Sequence, residues 1–223
     1  MEHSDEDLKN IARQLSCPEG EHGIKTGEVM HASNIGMTSA AIDALDLKSN
    51  ETVLEIGHGN AGHIAQLLSK ADNLRYFGAD ISATIIAEAE KNNQDFIDRG
   101  IVRFNLTDGN GLPYGDNLFD KIFTVNTIYF WKNPIAYLNE IKRVLKSNGT
   151  LAICFADKTF MQNLPFTCYG FTLYEVEKVR ELLESVDFTI INTLKNLEKV
   201  QSKTGEQIER TYYVLVATAK LNL

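Results

Sequence analysis

One glutamate followed by a glycine-rich turn is the stretch with the most chemical content: Val53-Leu54-Glu55-Ile56-Gly57-His58-Gly59-Asn60-Ala61-Gly62. The apolar run to Ile56 reads as a strand, the glycines as a tight turn, and Ile64, Leu67, Leu68 and Ala71 recur at helical spacing. A strand passing through glycines into a helix is the form of a nucleotide-cofactor site, because residues without a Cβ accept positive φ and let a ligand approach the backbone. Gly57, Gly59 and Gly62 fit the G-x-G-x-x-G spacing of a dinucleotide turn. Glu55 points elsewhere, since a carboxylate at a strand end repels a pyrophosphate and favours a cationic ligand.

Further acids and amides stand at comparable places. Asp80 ends a second apolar run roughly 20 residues past the turn, where an acid accepts hydrogen bonds from ribose hydroxyls in any adenosine cofactor. Asp108, Gly109 and Asn110 share a loop, in which Asp before Gly is also an ordinary turn pair. Asn126 closes a later apolar run. His58 lies within the glycine turn and His63 in the first turn of the helix after it, and neither belongs to a metal pattern. Cys17, Cys154 and Cys168 are odd in number, far apart and without a C-x-x-C pair, so neither a disulfide framework nor a metal site is expected.

The elements that must hold these residues alternate. A helix is expected over Asp5–Leu15, capped by Ser4 or Asp5 and broken by Cys17-Pro18-Glu19-Gly20. Residues 17–34 carry three glycines without periodicity and read as a loop, and helix returns over Ile35–Leu45. Strands follow at Thr52–Ile56, Leu74–Asp80, Ile101–Leu106, Phe119–Asn126 and Thr150–Phe155. Helices lie between them: one capped by Ser82 and running to about Arg99, another through Ile135, Leu138, Ile141 and Leu145, stopped by Asn148-Gly149. Such alternation is the signature of a parallel sheet with helices on both faces. After a helix over Leu173–Val186 come two strands, Phe188–Leu194 and Thr211–Ala219, with a charged connection and no helix between, so this pair must be antiparallel.

In this order the chain resembles class I S-adenosylmethionine-dependent methyltransferases, specifically the small-molecule group containing the ubiquinone and menaquinone biosynthesis enzymes. The resemblance spans about residues 50–219. It is strongest in LPYGDNLFDKIFTVNTIYFWKNPIAYLNEIKRVLKSNGTLAI, and the glycine turn, both acids and the terminal hairpin agree with it. It implies an α/β, Rossmann-like doubly wound sheet of seven strands, mostly parallel with a reversed C-terminal strand, and S-adenosylmethionine as cofactor. Glu55, Gly57 and Gly59 would then form the wall against the methionine part. Ala61 stands where the family has its third glycine. Asp80 would take the ribose hydroxyls, Ile81 would pack on the adenine, Asp108 with Gly109 and Asn110 would meet the adenine amino group, and Asn126 would line the junction of cofactor and acceptor.

Composition is compatible with that reading and narrows it. The 223 residues suit a single domain, with residues 1–49 a helical extension before the core of 50–219, and residues 17–34 are expected to close as a lid. A formal charge of −8 argues against nucleic acid as a bulk partner. No apolar run reaches the roughly 20 residues of a membrane span, and MEHSDEDLKN is acidic where a signal peptide is basic, so a cytoplasmic protein is expected. The acceptor reads as a small molecule. Phe160, Phe166, Tyr169 and Phe171 either line an apolar or aromatic acceptor pocket or merely fold their own loop down. Base candidates are Tyr129, Trp131, residues 157–169, His22, Glu28 and His31, with none singled out. An NAD(P)-dependent oxidoreductase would share the turn and Asp80 but not the reversed hairpin, and a binding module without catalysis would share both.

Overall fold

Buried at every position, β1 (Thr52–Ile56) is the strand from which the sheet is built outward. The computed structural model describes residues 4–201 and 207–219. Beside β1 lie β2 (Arg75–Asp80), β3 (Val102–Leu106), β4 (Phe119–Val125) and β5 (Leu145–Ala156), all parallel. The pair β6 (Phe188–Gln201) and β7 (Gln207–Ala219) completes seven strands in the order β3-β2-β1-β4-β5-β7-β6, with β7 antiparallel to both neighbours. The expected doubly wound sheet with a reversed C-terminal strand is therefore what forms.

Helices cover both faces. α1 (Asp5–Ser16) begins in a capping box in which Ser4 and Asp7 each bond the other's backbone. α3 (Ile64–Leu68), α4 (Ala83–Asn92) and α5 (Gln94–Asp98) follow the first two strands, and Ser82 caps α4 through the Ile85 amide at 3.1 Å. The single helix expected to Arg99 is broken at Asn93, whose side chain instead donates to the carbonyls of Ala61 and Ala89. α6 (Pro134–Val144) ends earlier than Asn148-Gly149 because the backbone becomes extended at Leu145 and pairs with Phe119. A short α7 (Lys158–Met161) precedes α8 (Val176–Ser185), which packs with α6.

The largest departure from expectation is α2 (Gly20–Ala44), a 25-residue helix where residues 17–34 read as a loop. Gly27 serves close packing: a Cβ there would come within 2.7 Å of Ile85 Cδ1, so α2 lies nearer to Ile85 of α4 than a larger residue would allow without that side chain shifting. Tertiary contact thus outweighs the roughly 1 kcal/mol of helix propensity that each glycine loses. The hairpin differs as well. The charged segment after Leu194 continues both strands, pairing Lys195 with Tyr213 through Gln201 with Gln207, and charge on an edge strand is compatible with pairing on one side only. Residues 202–206 of that connection lie outside the described residues.

Candidate functional site

Just past β1, Gly57 takes φ +73° and its amide donates to the Ala79 carbonyl at 2.8 Å, turning the chain at the carboxyl edge of the sheet. A Cβ there would run into the Thr127 methyl, so conformation and space both require glycine. Gly59 also has positive φ, +56°, yet a Cβ on it would meet nothing within 4 Å. It faces a cleft of about 1070 Å³, solvent-open mouth included, walled by the ends of β1, β2 and β4 and by α2. This is the switch point of the sheet, where neighbouring connections diverge and open α/β folds bind ligands.

Ala61 is different. It has φ +53° and is 0% exposed, and its carbonyl accepts from Asn93. It supports the turn from within the core and does not line the cleft.

Glu55 is buried, and its Oε2 accepts from His63 Nε2 at 2.7 Å and from Tyr76 Oη at 2.5 Å. Burial opposes charge on His63, but attraction to Glu55 and the hydrogen bond outweigh it and raise the imidazolium above the ordinary histidine range. The Tyr76 phenol is pushed well up by burial and then by Glu55, so it stays a donor. Across the cleft, His31 of α2 is held below the ordinary range by burial and then by His63. His58 sets Nδ1 against the Gly59 carbonyl at 2.7 Å, while its buried Nε2 has no partner. Among the described residues no group of three His, Cys, Asp or Glu is arranged to hold a metal ion.

Asp80 lines the cleft, with Oδ1 fixed by the Ser82 amide at 2.9 Å. Ile81 is 40% exposed, and its Cγ2 lies 3.3 Å from where a Cβ of Gly109 would stand, so these two define one slot. Asp108 and Asn110 are exposed beside it and are not part of the wall. The Asp108 carboxylate accepts from the amides of Asn110 at 2.8 Å and Gly111 at 3.1 Å, which also lower its pKa. Asn126, at φ +58°, lines the cleft, but its Oδ1 is occupied by Tyr129 Oη and the Ala156 amide.

The same bonds remove Tyr129 as a base, since its hydroxyl is buried, locked to Ala156 and pushed far up. Of the other base candidates, only Trp131 and His31 reach the cleft. Phe160, Phe166, Tyr169 and Phe171 do not line it: Phe171 packs on Phe130 at 4.6 Å and Phe166 at 5.8 Å, and Tyr169 bonds Asp5. Their described contacts thus run within the loop, to Phe130 and to α1. Sequence reasoning missed Gly27, Met30, Asn34 and Thr38, which with His31 give α2 its cleft face. Their spacing of three to four residues was the available signal, and the glycines masked it.

Residues 54–153 match the family model described as a methyltransferase domain. Methyltransferase GfsG of Streptomyces halstedii is 30% identical over 119 residues, 52% of this chain and 42% of that protein, so the match spans less than half of that relative. The putative methyltransferase in complex with the Trm112 activator of Haloferax volcanii superposes with a TM-score of 0.75 at 16% identity, covering 90% of this chain and 95% of that one. A SAM-dependent methyltransferase from Aquifex aeolicus gives 0.67 at 18% identity, covering 94% and 97%. The fold is the one these solved methyltransferases share, and residues 54–153, a little under half of the chain, carry the methyltransferase-domain match. The Aquifex aeolicus structure and one from Methanosarcina mazei are both described as SAM-dependent methyltransferases. The cleft fits a cationic ligand of this kind: Glu55 and Asp80 stand in its wall, no lysine or arginine among the described residues lines it, and Gly59 leaves open the space a side chain would fill.

Proposed function

We propose that this cleft aligns S-adenosylmethionine with a small-molecule acceptor for methyl transfer. The observation that carries the reading is the buried carboxylate of Glu55 at the end of β1, above a glycine turn open at Gly59. The bound sulfonium supplies a methyl group already activated for in-line displacement, so the protein's task is alignment and exclusion of water. Gly57 and Gly59 would admit the methionine part, Asp80 the ribose hydroxyls, and the slot of Ile81 and Gly109 the adenine. Ala61 would act through the turn it supports, and Asp108 and Asn110 through the loop that carries Gly109. Asn126, with its oxygen occupied, would serve by shape.

A small acceptor is favoured by α2, which runs along the cleft as a continuous helix and supplies part of its wall. Closure by residues 17–34 would then be movement of a helix, with Met30, Asn34 and Thr38 facing the acceptor. Calorimetry with S-adenosylhomocysteine and with NADH tests the cofactor reading, the first binding and the second not. Transfer of tritium from methyl-labelled cofactor into pooled metabolites tests the reaction; no labelled product from any pool would count against it.

A further inference from the structure

S-adenosylmethionine ends in an amino acid, whose carboxylate needs hydrogen-bond donors. No lysine or arginine among the described residues lines the cleft, so the side chains there able to carry positive charge are His31, His58 and His63. His58 is spent, with Nδ1 against Gly59 and Nε2 sealed. His63 commits Nε2 to Glu55, which leaves Nδ1 for another partner. His31 reaches over from α2 with its ring stacked on His63, centroids 6.3 Å apart and planes 21° from parallel. Its Nε2 stands 3.0 Å from where a Cβ of Gly62 would be, so glycine at that place of the turn admits the ring. No hydrogen bond from a described residue holds either nitrogen of His31.

We propose that His31 and His63 form a carboxylate-reading pair for the methionyl end of S-adenosylmethionine, with Glu55 fixing His63 from behind. The proposal rests on the cleft being the cofactor site. Its electrostatics follow from the groups that face His31: His63 at the start of α3, Glu55 on β1 with Tyr76 of β2 bonded to it, and Asp80 at the end of β2 on the same cleft. In the free protein a second imidazolium beside His63 is disfavoured, so His31 remains neutral at pH 7. A carboxylate set against both rings removes that penalty and makes each hydrogen bond charge-assisted. Binding should therefore draw a proton from solution onto His31.

The test is calorimetric titration of the full chain with S-adenosylmethionine and with decarboxylated S-adenosylmethionine, which keeps the sulfonium and the amine. Each is run at pH 7 in two buffers of different ionisation enthalpy, so that protons taken up are counted. Wild type should take up protons with the first ligand and fewer with the second. His31→Gln should abolish that difference, weaken S-adenosylmethionine about tenfold and leave the decarboxylated ligand unchanged; His63→Gln should act in the same direction. An unaltered preference for the carboxylate form in both variants overturns the proposal. Binding of both ligands to wild type without differential proton uptake overturns the histidine pair alone, whereas binding of neither overturns the cofactor reading beneath it. Since preference is a ratio within one variant, it reads correctly even if a variant melts earlier.

Discussion

His63 donates from Nε2 to Oε2 of Glu55 across 2.7 Å, and the same oxygen accepts the Tyr76 hydroxyl. A buried carboxylate in the cleft wall is thus held in place by two donors that are themselves buried. The bond joins the end of β1 to the start of α3 across the glycine turn, so the turn is closed by side chains as well as by backbone. Breaking one member of such a pair leaves the other desolvated and unpaired, which is costly.

The pair has a pH signature. His63 is raised above its ordinary value in the folded chain, so the stability it contributes is fully present below the unfolded pKa of about 6.5 and is lost as pH rises through the folded value. His31 is lowered, so its term has the opposite sign: full at high pH, lost as pH falls through 6.5 toward the folded value. Removing His31 isolates the first term. The guanidinium midpoint of His31→Gln should fall between pH 6 and pH 9, and that of His31→Gln with His63→Gln should fall less. Equal slopes would mean that Glu55 does not hold the imidazolium.

Ala61→Leu should damage the fold more than the site. Sequence position places Ala61 among the cofactor contacts, but the residue is 0% exposed, at φ +53°, and lies under the turn. Three added carbons have nowhere to go, and overpacking of this kind costs about 1–3 kcal/mol. Urea denaturation should show the loss, while S-adenosylhomocysteine affinity of the folded protein changes little. Unchanged stability with abolished binding would return Ala61 to the cleft wall.

What could be read in advance divides along a physical line. The strands of the parallel core, the reversed hairpin, the Ser82 cap and the placement of Glu55, Gly57, Gly59 and Asp80 were legible because each depends on residues near in sequence: apolar runs, acids at strand ends, a turn that only glycine makes. α2 was not legible, since Gly27 is helical for the sake of Ile85, a contact between segments far apart in the chain. The Glu55 network escaped for the same reason, Tyr76 coming from β2. Asn126 and Asp108 were found at the right strand ends, but which of their atoms remain free depends on Tyr129, Ala156 and the loop amides, and no spacing reports that.

The two glycines of the turn should separate on substitution. Gly59→Ala meets no neighbour and incurs only the left-handed backbone, about 1–2 kcal/mol, but its methyl enters the cleft. Gly57→Ala incurs the same backbone cost and also collides with Thr127. Thermal melts should therefore rank Gly57→Ala well below Gly59→Ala, while Gly59→Ala, still folded, should bind S-adenosylhomocysteine at least about tenfold more weakly. Full affinity in Gly59→Ala would show that the open space above it is not where the cofactor sits.

Arg210 ties the long hairpin to α2 and thereby holds the cleft wall. It is 7% exposed, bonds Glu198 across the hairpin at 2.9 Å, and reaches Asn34 at 3.0 Å and the Ser33 carbonyl at 2.5 Å. Gly36 leaves room for the same carboxylate, since a Cβ there would come within 2.5 Å of Glu198. Removing the guanidinium leaves Glu198 half-buried beside a carbonyl and an amide oxygen, an arrangement that costs about 3 kcal/mol when a buried pair is broken. Arg210→Met keeps the apolar stem and loses the bonds. Its amides over residues 28–38 should exchange hydrogen faster while β1 and β4 stay protected, and S-adenosylhomocysteine should bind more weakly because His31 rides on the loosened helix. Exchange that accelerates uniformly across the sheet would instead make Arg210 a general stabiliser with no special hold on α2.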